Sequence, residues 1–263
     1  MYSAKKNGKT FQPFDEKVWR ENLDSELLMR KIDSLLLSGD IRYAARGLYD
    51  LNGIDSHVKE IYSRDSNGKS IFDSSNCFLL DDDYRIKKLD LLNLSSFSNE
   101  LSSIDGKHII LVGSSTIMNP EDVQRLFEGK EVDDKIILSF DPKKIKRDDK
   151  DRFIAACQSM SGLPIELMLD KYDFSVGDDW FQKVPFKYVK FDSKVQDAII
   201  NSTFMSDVVS RKTADFEYLY GISSVFDSIK DKESCARISE ISSSNTLLGG
   251  DFFDKEKILC FKK

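Results

Sequence analysis

Apolar residues recur at helical spacing from Leu23 to Leu37 (LDSELLMRKIDSLLL) and stop at Ser38-Gly39, which predicts an amphipathic helix. The period then changes. Runs rich in β-branched and aromatic residues at 41–51 (IRYAARGLYDL) and 57–64 (HVKEIYSR) predict strands, followed by a helix over 82–101 and a strand over 107–113 (KHIILVG). Asn119 as a cap with Pro120 in the first turn opens a helix over 119–129, which leads to a strand over 134–141 (DKIILSFD). The alternation continues with helix 148–160, strand 163–170 (LPIELMLD), short helix 178–184, strand 186–192 (FKYVKFD) and one helix over 193–209. The last segments read as a strand over 217–223 (EYLYGIS), a helix over 225–241 and a closing strand over 245–250 (NTLLGG).

Eight strands with helices between most of them predict an α/β fold, a (β/α)8 TIM-like barrel. The rival is an open doubly wound sheet, but the sequence has no GxGxxG turn or P-loop to mark the nucleotide site of such a sheet. Barrels place their chemistry at the C-terminal ends of strands, so the positions of interest are Glu60 to Arg64, Gly113, Ser139 to Asp141, Asp170, Lys190 to Asp192, Tyr220 and Gly249-Gly250.

Composition adds exclusions. The chain of 263 residues is 40% hydrophobic and 11% aromatic, enough to build a core of barrel size. Its 45 acidic side chains exceed its 39 Lys and Arg, for a net charge of −6, so no overall charge drives binding to nucleic acid, and none is expected as a partner. No run of eighteen apolar residues occurs and the opening MYSAKKNGKTFQPFDEKVW has no apolar stretch, so a soluble, cytoplasmic piece is expected. Cys77, Cys157, Cys235 and Cys260 are widely separated and His57 and His108 are the only histidines, which points to free thiols rather than a disulfide framework or zinc site. The Lys143 to Arg147 run is followed at once by DDKD and reads as a solvated loop. Asp81-Asp82-Asp83 reads as a helix cap.

At the strand ends the chain resembles an EAL domain, the barrel family whose active members hydrolyse cyclic di-GMP with two metal ions. The run LPIELMLDKYDFSVGDDWFQKVPFKYVKFD (163–192) is similar to the family's stretch from its paired-aspartate loop to its Lys-x-Asp strand. EIYSR places Glu60 and Arg64 where the E-A-L-x-R signature has its Glu and Arg, and LLGGDFF is similar to the closing Q-G-Y-x-F strand. MYSAKKNGKTFQPFD also resembles the end of a GGDEF domain, so residues 1–21 are expected to be linker and remnant of such a domain, and residues 22–263 a degenerate EAL barrel. The ending is somewhat like that of degenerate GGDEF–EAL regulators of the CsrD type.

The resemblance implies that most metal ligands are lost. Glu60 and Asp170 remain; the family's metal-binding Asn falls on Gly113, a strand Glu on Ser139, the second Asp of the pair on Lys171, the E-G-V-E glutamates on Tyr220 and Ser223, and the last Gln on Gly249. An ammonium at a metal position repels a dication at close range, so no catalysis and no cofactor are expected. Lys190, which positions the attacking water in active members, and Asp192 on the same strand face remain; their structural alternative is an ion pair with Glu60 or Asp170. Arg64 and Arg46 are candidate donors to a phosphate. Three readings follow: an inactive regulatory module that binds protein partners, a metal-independent cyclic di-GMP receptor, and an active phosphodiesterase. A second copy of the chain is carried as a further candidate partner, and a membrane anchor in a longer parent protein is left open.

Overall fold

The computed structural model of the chain describes residues 5–6, 9–10, 16–65, 67–70, 84–100, 105–128, 135–254 and 257–259. Cys77, Cys260 and the Asp81 to Asp83 run lie outside them. In chain order the elements are β1 (Lys5–Lys6), β2 (Lys9–Thr10), α1 (Glu16–Ser38), β3 (Arg42–Tyr49), β4 (Asp55–Arg64), α2 (Tyr84–Glu100), β5 (Lys107–Leu111), α3 (Ser114–Ile117), α4 (Pro120–Phe127) and β6 (Ile136–Phe140). They continue with α5 (Lys150–Ser159), β7 (Ile165–Tyr172), α6 (Asp179–Lys183), β8 (Phe186–Phe191), α7 (Ser193–Asn201), α8 (Thr203–Asp215), β9 (Ser223–Phe226), α9 (Lys232–Ile241), β10 (Leu247–Leu248) and β11 (Lys257–Leu259).

Strands β4 to β10 run parallel, and β3 closes the ring between β4 and β10, antiparallel to both. The fold is therefore the expected α/β barrel, with one strand reversed. The reversal follows from the Asp50–Ile54 turn, too short for a crossover helix: the Asp50 carboxylate accepts the Asn52 and Ile54 amides, both at 2.8 Å. Strand β6 (IILSF) is buried at every residue, as a parallel strand with the core on both faces must be. The larger core lies between strands and helices, where Phe140 meets Phe153 and Phe181 meets Phe216 edge-on, and Phe191 stacks on Phe226.

Four expectations need correction. The helix read from Leu23 begins at Glu16. The single helix over 193–209 is two, because Ser202 leaves the helical region and its hydroxyl accepts the Met205 amide at 3.3 Å, starting α8 afresh. The strand read at 217–223 is the tail of a helix: Phe216–Tyr220 form a π-helical turn closed by Gly221, and the strand comes next, at Ser223–Phe226. The helix read from Val225 starts at Lys232, where Asp231 and Ser234 form a capping box. Strand β11, which pairs with β3 through Ala45, Ala44 and Tyr43, has no counterpart in the sequence reading.

Candidate functional site

One side chain from each closing strand (Leu48, Val58, Ile109, Ile137, Met168, Tyr188, Val225 and Leu247) packs into an apolar plug inside the barrel. Strand side chains alternate between faces, so the next inward layer lies two residues on along each parallel strand and two residues back on reversed β3. That step names Arg46, Glu60, Leu111, Ser139, Asp170, Lys190, Asp227 and Gly249. Three carboxylates, two cations and three uncharged residues thus share one level at the C-terminal mouth.

Lys190 is the hub of this ring. Its Nζ lies 3.0 Å from Glu60 Oε1, 3.0 Å from Asp170 Oδ1 and 3.3 Å from Asp227 Oδ2. Arg46 donates to Glu60 Oε2 at 3.2 Å and to the Tyr62 hydroxyl at 2.8 Å, and its Nη2 is 4.0 Å from Asp227. The Tyr62 hydroxyl in turn donates to Glu60 Oε2 at 2.7 Å. Glu60 and Asp170 are each only 3% exposed, so burial of this much charge is tolerable only because the signs interleave. Burial opposes the charge on Lys190, but Asp170, Asp227 and Glu60 outweigh it and hold the ammonium well above its ordinary pKa. Burial likewise raises the Asp227 carboxyl, and the Lys190 and Arg46 charges overcome that and hold it below the ordinary range. The Tyr62 phenol is pushed up by burial and by Glu60 beside it.

The other expected positions scatter. Arg64, at the end of β4, packs over the Tyr62 ring at 5.6 Å. Asp192 lies outside the ring: it caps α7 through the Lys194 amide and accepts Lys143 Nζ at 3.2 Å. Lys171 has a left-handed backbone (φ 54°) and lies 3.4 Å from Asp141 across the rim. Gly113 follows β5 and donates its amide to Asp90 Oδ2 at 2.8 Å. Ser139 and Gly249 are on the ring level, with Ser139 Oγ buried and without a hydrogen-bond partner among the described residues. Tyr220 is not at a strand end at all; it is the last residue of the π-helical turn, 5.8 Å from the Phe181 ring. The residue at the end of β9 is Asp227, a carboxylate that the sequence reading missed with its strand. Tyr62 lies inside the Glu60 to Arg64 run but was given no role of its own, although its place two residues after Glu60 on one strand face was the signal.

No family model and no curated protein matches the sequence. The coordinates do find neighbours. The EAL domain of FimX from Pseudomonas aeruginosa, solved bound to c-di-GMP, superposes with a TM-score of 0.74 at 11% identity, over 87% of this chain and 96% of that one. This chain has the EAL-domain fold. The EAL domain of Xanthomonas citri FimX in complex with c-di-GMP aligns with a TM-score of 0.71 at 13% identity, over 93% of this chain and 98% of its own. The PaMucR phosphodiesterase in its c-di-GMP complex gives 0.74 at 11%, over 88% and 97%.

On this EAL fold the donor set for a divalent cation is a poor one. Hard dications need several oxygen ligands converging on one point. Among the described residues no three acidic, His or Cys side chains are grouped so as to hold one. Glu60, Asp170 and Asp227 converge instead on the Lys190 ammonium, which a metal would have to displace.

Proposed function

We propose that the chain is a catalytically inactive EAL-fold module that regulates cyclic di-GMP-related signalling by binding other proteins. The signalling context is supported by the c-di-GMP complexes of the FimX and MucR neighbours. Inactivity is carried by one observation: the three ring carboxylates are spent on Lys190. Metal-assisted phosphodiester hydrolysis needs such carboxylates free to hold cations and generate a hydroxide. Lys171 puts a further positive charge on the rim, and Gly113, Ser139 and Gly249 offer no carboxylate or amide side chain. Partner binding is supported by two neighbouring large side chains left exposed just beyond α8, Tyr218 at 79% and Leu219 at 69% exposure.

The test is incubation of the purified chain with cyclic di-GMP and Mg²⁺ or Mn²⁺, followed by chromatography for the linear dinucleotide. No product is the expected outcome, and steady turnover would overturn the reading. A metal-independent cyclic di-GMP receptor is the second reading. It is favoured by the cations that face the mouth, Arg46 at 16% and Lys190 at 15% side-chain exposure. Calorimetry without metal separates the two: micromolar binding heat selects the receptor, and its absence the partner-binding module.

A further inference from the structure

Away from the ring, one buried carboxylate ties a helix to the rim of the mouth. Asp90 lies in the middle of α2 and is 2% exposed, yet among the described residues it faces no cation. Its Oδ2 accepts the Gly113 amide at 2.8 Å and the Thr116 hydroxyl at 2.6 Å, so one oxygen ties the turn between β5 and α3 to helix α2. The turn is also packed close. A Cβ on Gly113 would lie 3.3 Å from Ile86 Cγ2 and 3.5 Å from Asp90 Oδ2. Leu111, two residues before Gly113 and 45% exposed in the mouth, is carried by the same segment.

The charged groups on the surrounding elements are engaged elsewhere. Lys87 of α2 pairs with Asp122 of α4, and Arg85 of α2 pairs with Asp33 of α1 at 2.9 Å. Lys88 of α2 lies over the Tyr84 ring, Arg125 of α4 is 3.5 Å from Asp122, and α3 (SSTI) carries no charge. On β5, Lys107 pairs with Glu166 at 2.7 Å, and His108 is neutral, its pKa pushed down to about 4 by burial. Burial is accordingly the cause that dominates at Asp90 and pushes its carboxyl up to about 7, against the two hydrogen bonds that stabilise the anion.

We propose that Asp90 is a pH-sensitive latch that holds the β5–α3 turn, and with it the Leu111 side of the barrel mouth, against helix α2. The ionised carboxylate accepts strongly from Gly113 N–H and Thr116 O–H; the protonated one accepts weakly and loosens the turn. The proposal is independent of what the mouth binds, and it can stand or fall whether or not cyclic di-GMP does so.

The direct test is NMR of the intact chain between pH 5 and 8.5, following the Asp90 side-chain carboxyl carbon and the Gly113 amide proton. Both should titrate together with a midpoint near neutrality, the amide moving downfield as pH rises. In Thr116→Val, which removes one donor to the anion, the shared midpoint should move up. In Asp90→Asn the Gly113 titration should vanish. An Asp90 carbon that titrates near the ordinary aspartate value, or a Gly113 amide that titrates unchanged in Asp90→Asn, would overturn the latch. The first measurement needs no variant, so a misfolded mutant leaves the test intact.

Discussion

At the scale of single residues the molecule turns on Lys190. One ammonium serves three carboxylates from three strands, so removing it leaves a net excess of buried negative charge with only Arg46 to answer it. Breaking a buried ion pair from one side costs about 3–5 kcal/mol. Lys190→Met is expected to destabilise the fold by that order, read from the denaturation midpoint. The pH profile should change with it. Asp227 is held below its ordinary range, so its support is in place above about pH 4 and is lost as pH falls through its lower folded value. Without Lys190 that folded value rises, and acid unfolding should begin at higher pH than in the parent chain. An unchanged acid midpoint would mean that Lys190 does little to hold Asp227 ionised.

At the scale of elements, the segment from Phe216 to Gly250 decides which residues reach the ring. Gly221 closes the π-helical turn with a left-handed backbone (φ 65°) and open space around the missing Cβ. Gly250 is different: at φ 127° an added Cβ would stand 2.4 Å from the Ile229 carbonyl oxygen. Gly221→Ala should therefore cost about 1–2 kcal/mol from backbone strain alone. Gly250→Ala should cost clearly more in the same thermal melts, because Ile229 must move too. This segment is also where the sequence was hardest to read. Phe216, Tyr218 and Tyr220 have strong strand propensity, but Tyr218 and its neighbour Leu219 face solvent and the run ends a helix, so packing overrode propensity. The true strand, SSVF, is short and begins with two serines, and nothing in its composition announces it. Losing that strand lost Asp227. The parallel strands from β4 to β8 were legible because their apolar and aromatic runs alternate with helical segments and are bounded by turn signals. On them Glu60, Asp170 and Lys190 were found, together with the ion-pair alternative for Lys190.

At the scale of the whole molecule the ring does for the barrel mouth what a bound cation could have done, using side chains that are synthesised with it. A mouth whose three carboxylates are already engaged by Lys190 and Arg46 should be indifferent to dications. The melting temperature is expected to stay the same within error on adding millimolar Mg²⁺ or a chelator, whereas a rise with Mg²⁺ would indicate a site that binds the native state. The barrel is closed by its reversed strand. Strand β3 meets β4 through a five-residue turn on one side, while its other edge is shared by β10 at Tyr49 and β11 at Tyr43 to Ala45. The two edges of β3 are thus completed at very different moments of synthesis. The hairpin side can zip as soon as it leaves the ribosome, but the partners of the other edge come about 200 residues later, on the order of 10–40 s at ordinary elongation rates. Through that interval the nascent chain carries an open strand edge of the kind that recruits foreign strands. The demand this protein places on the cell's chaperones is set by the distance between its first barrel strand and its last.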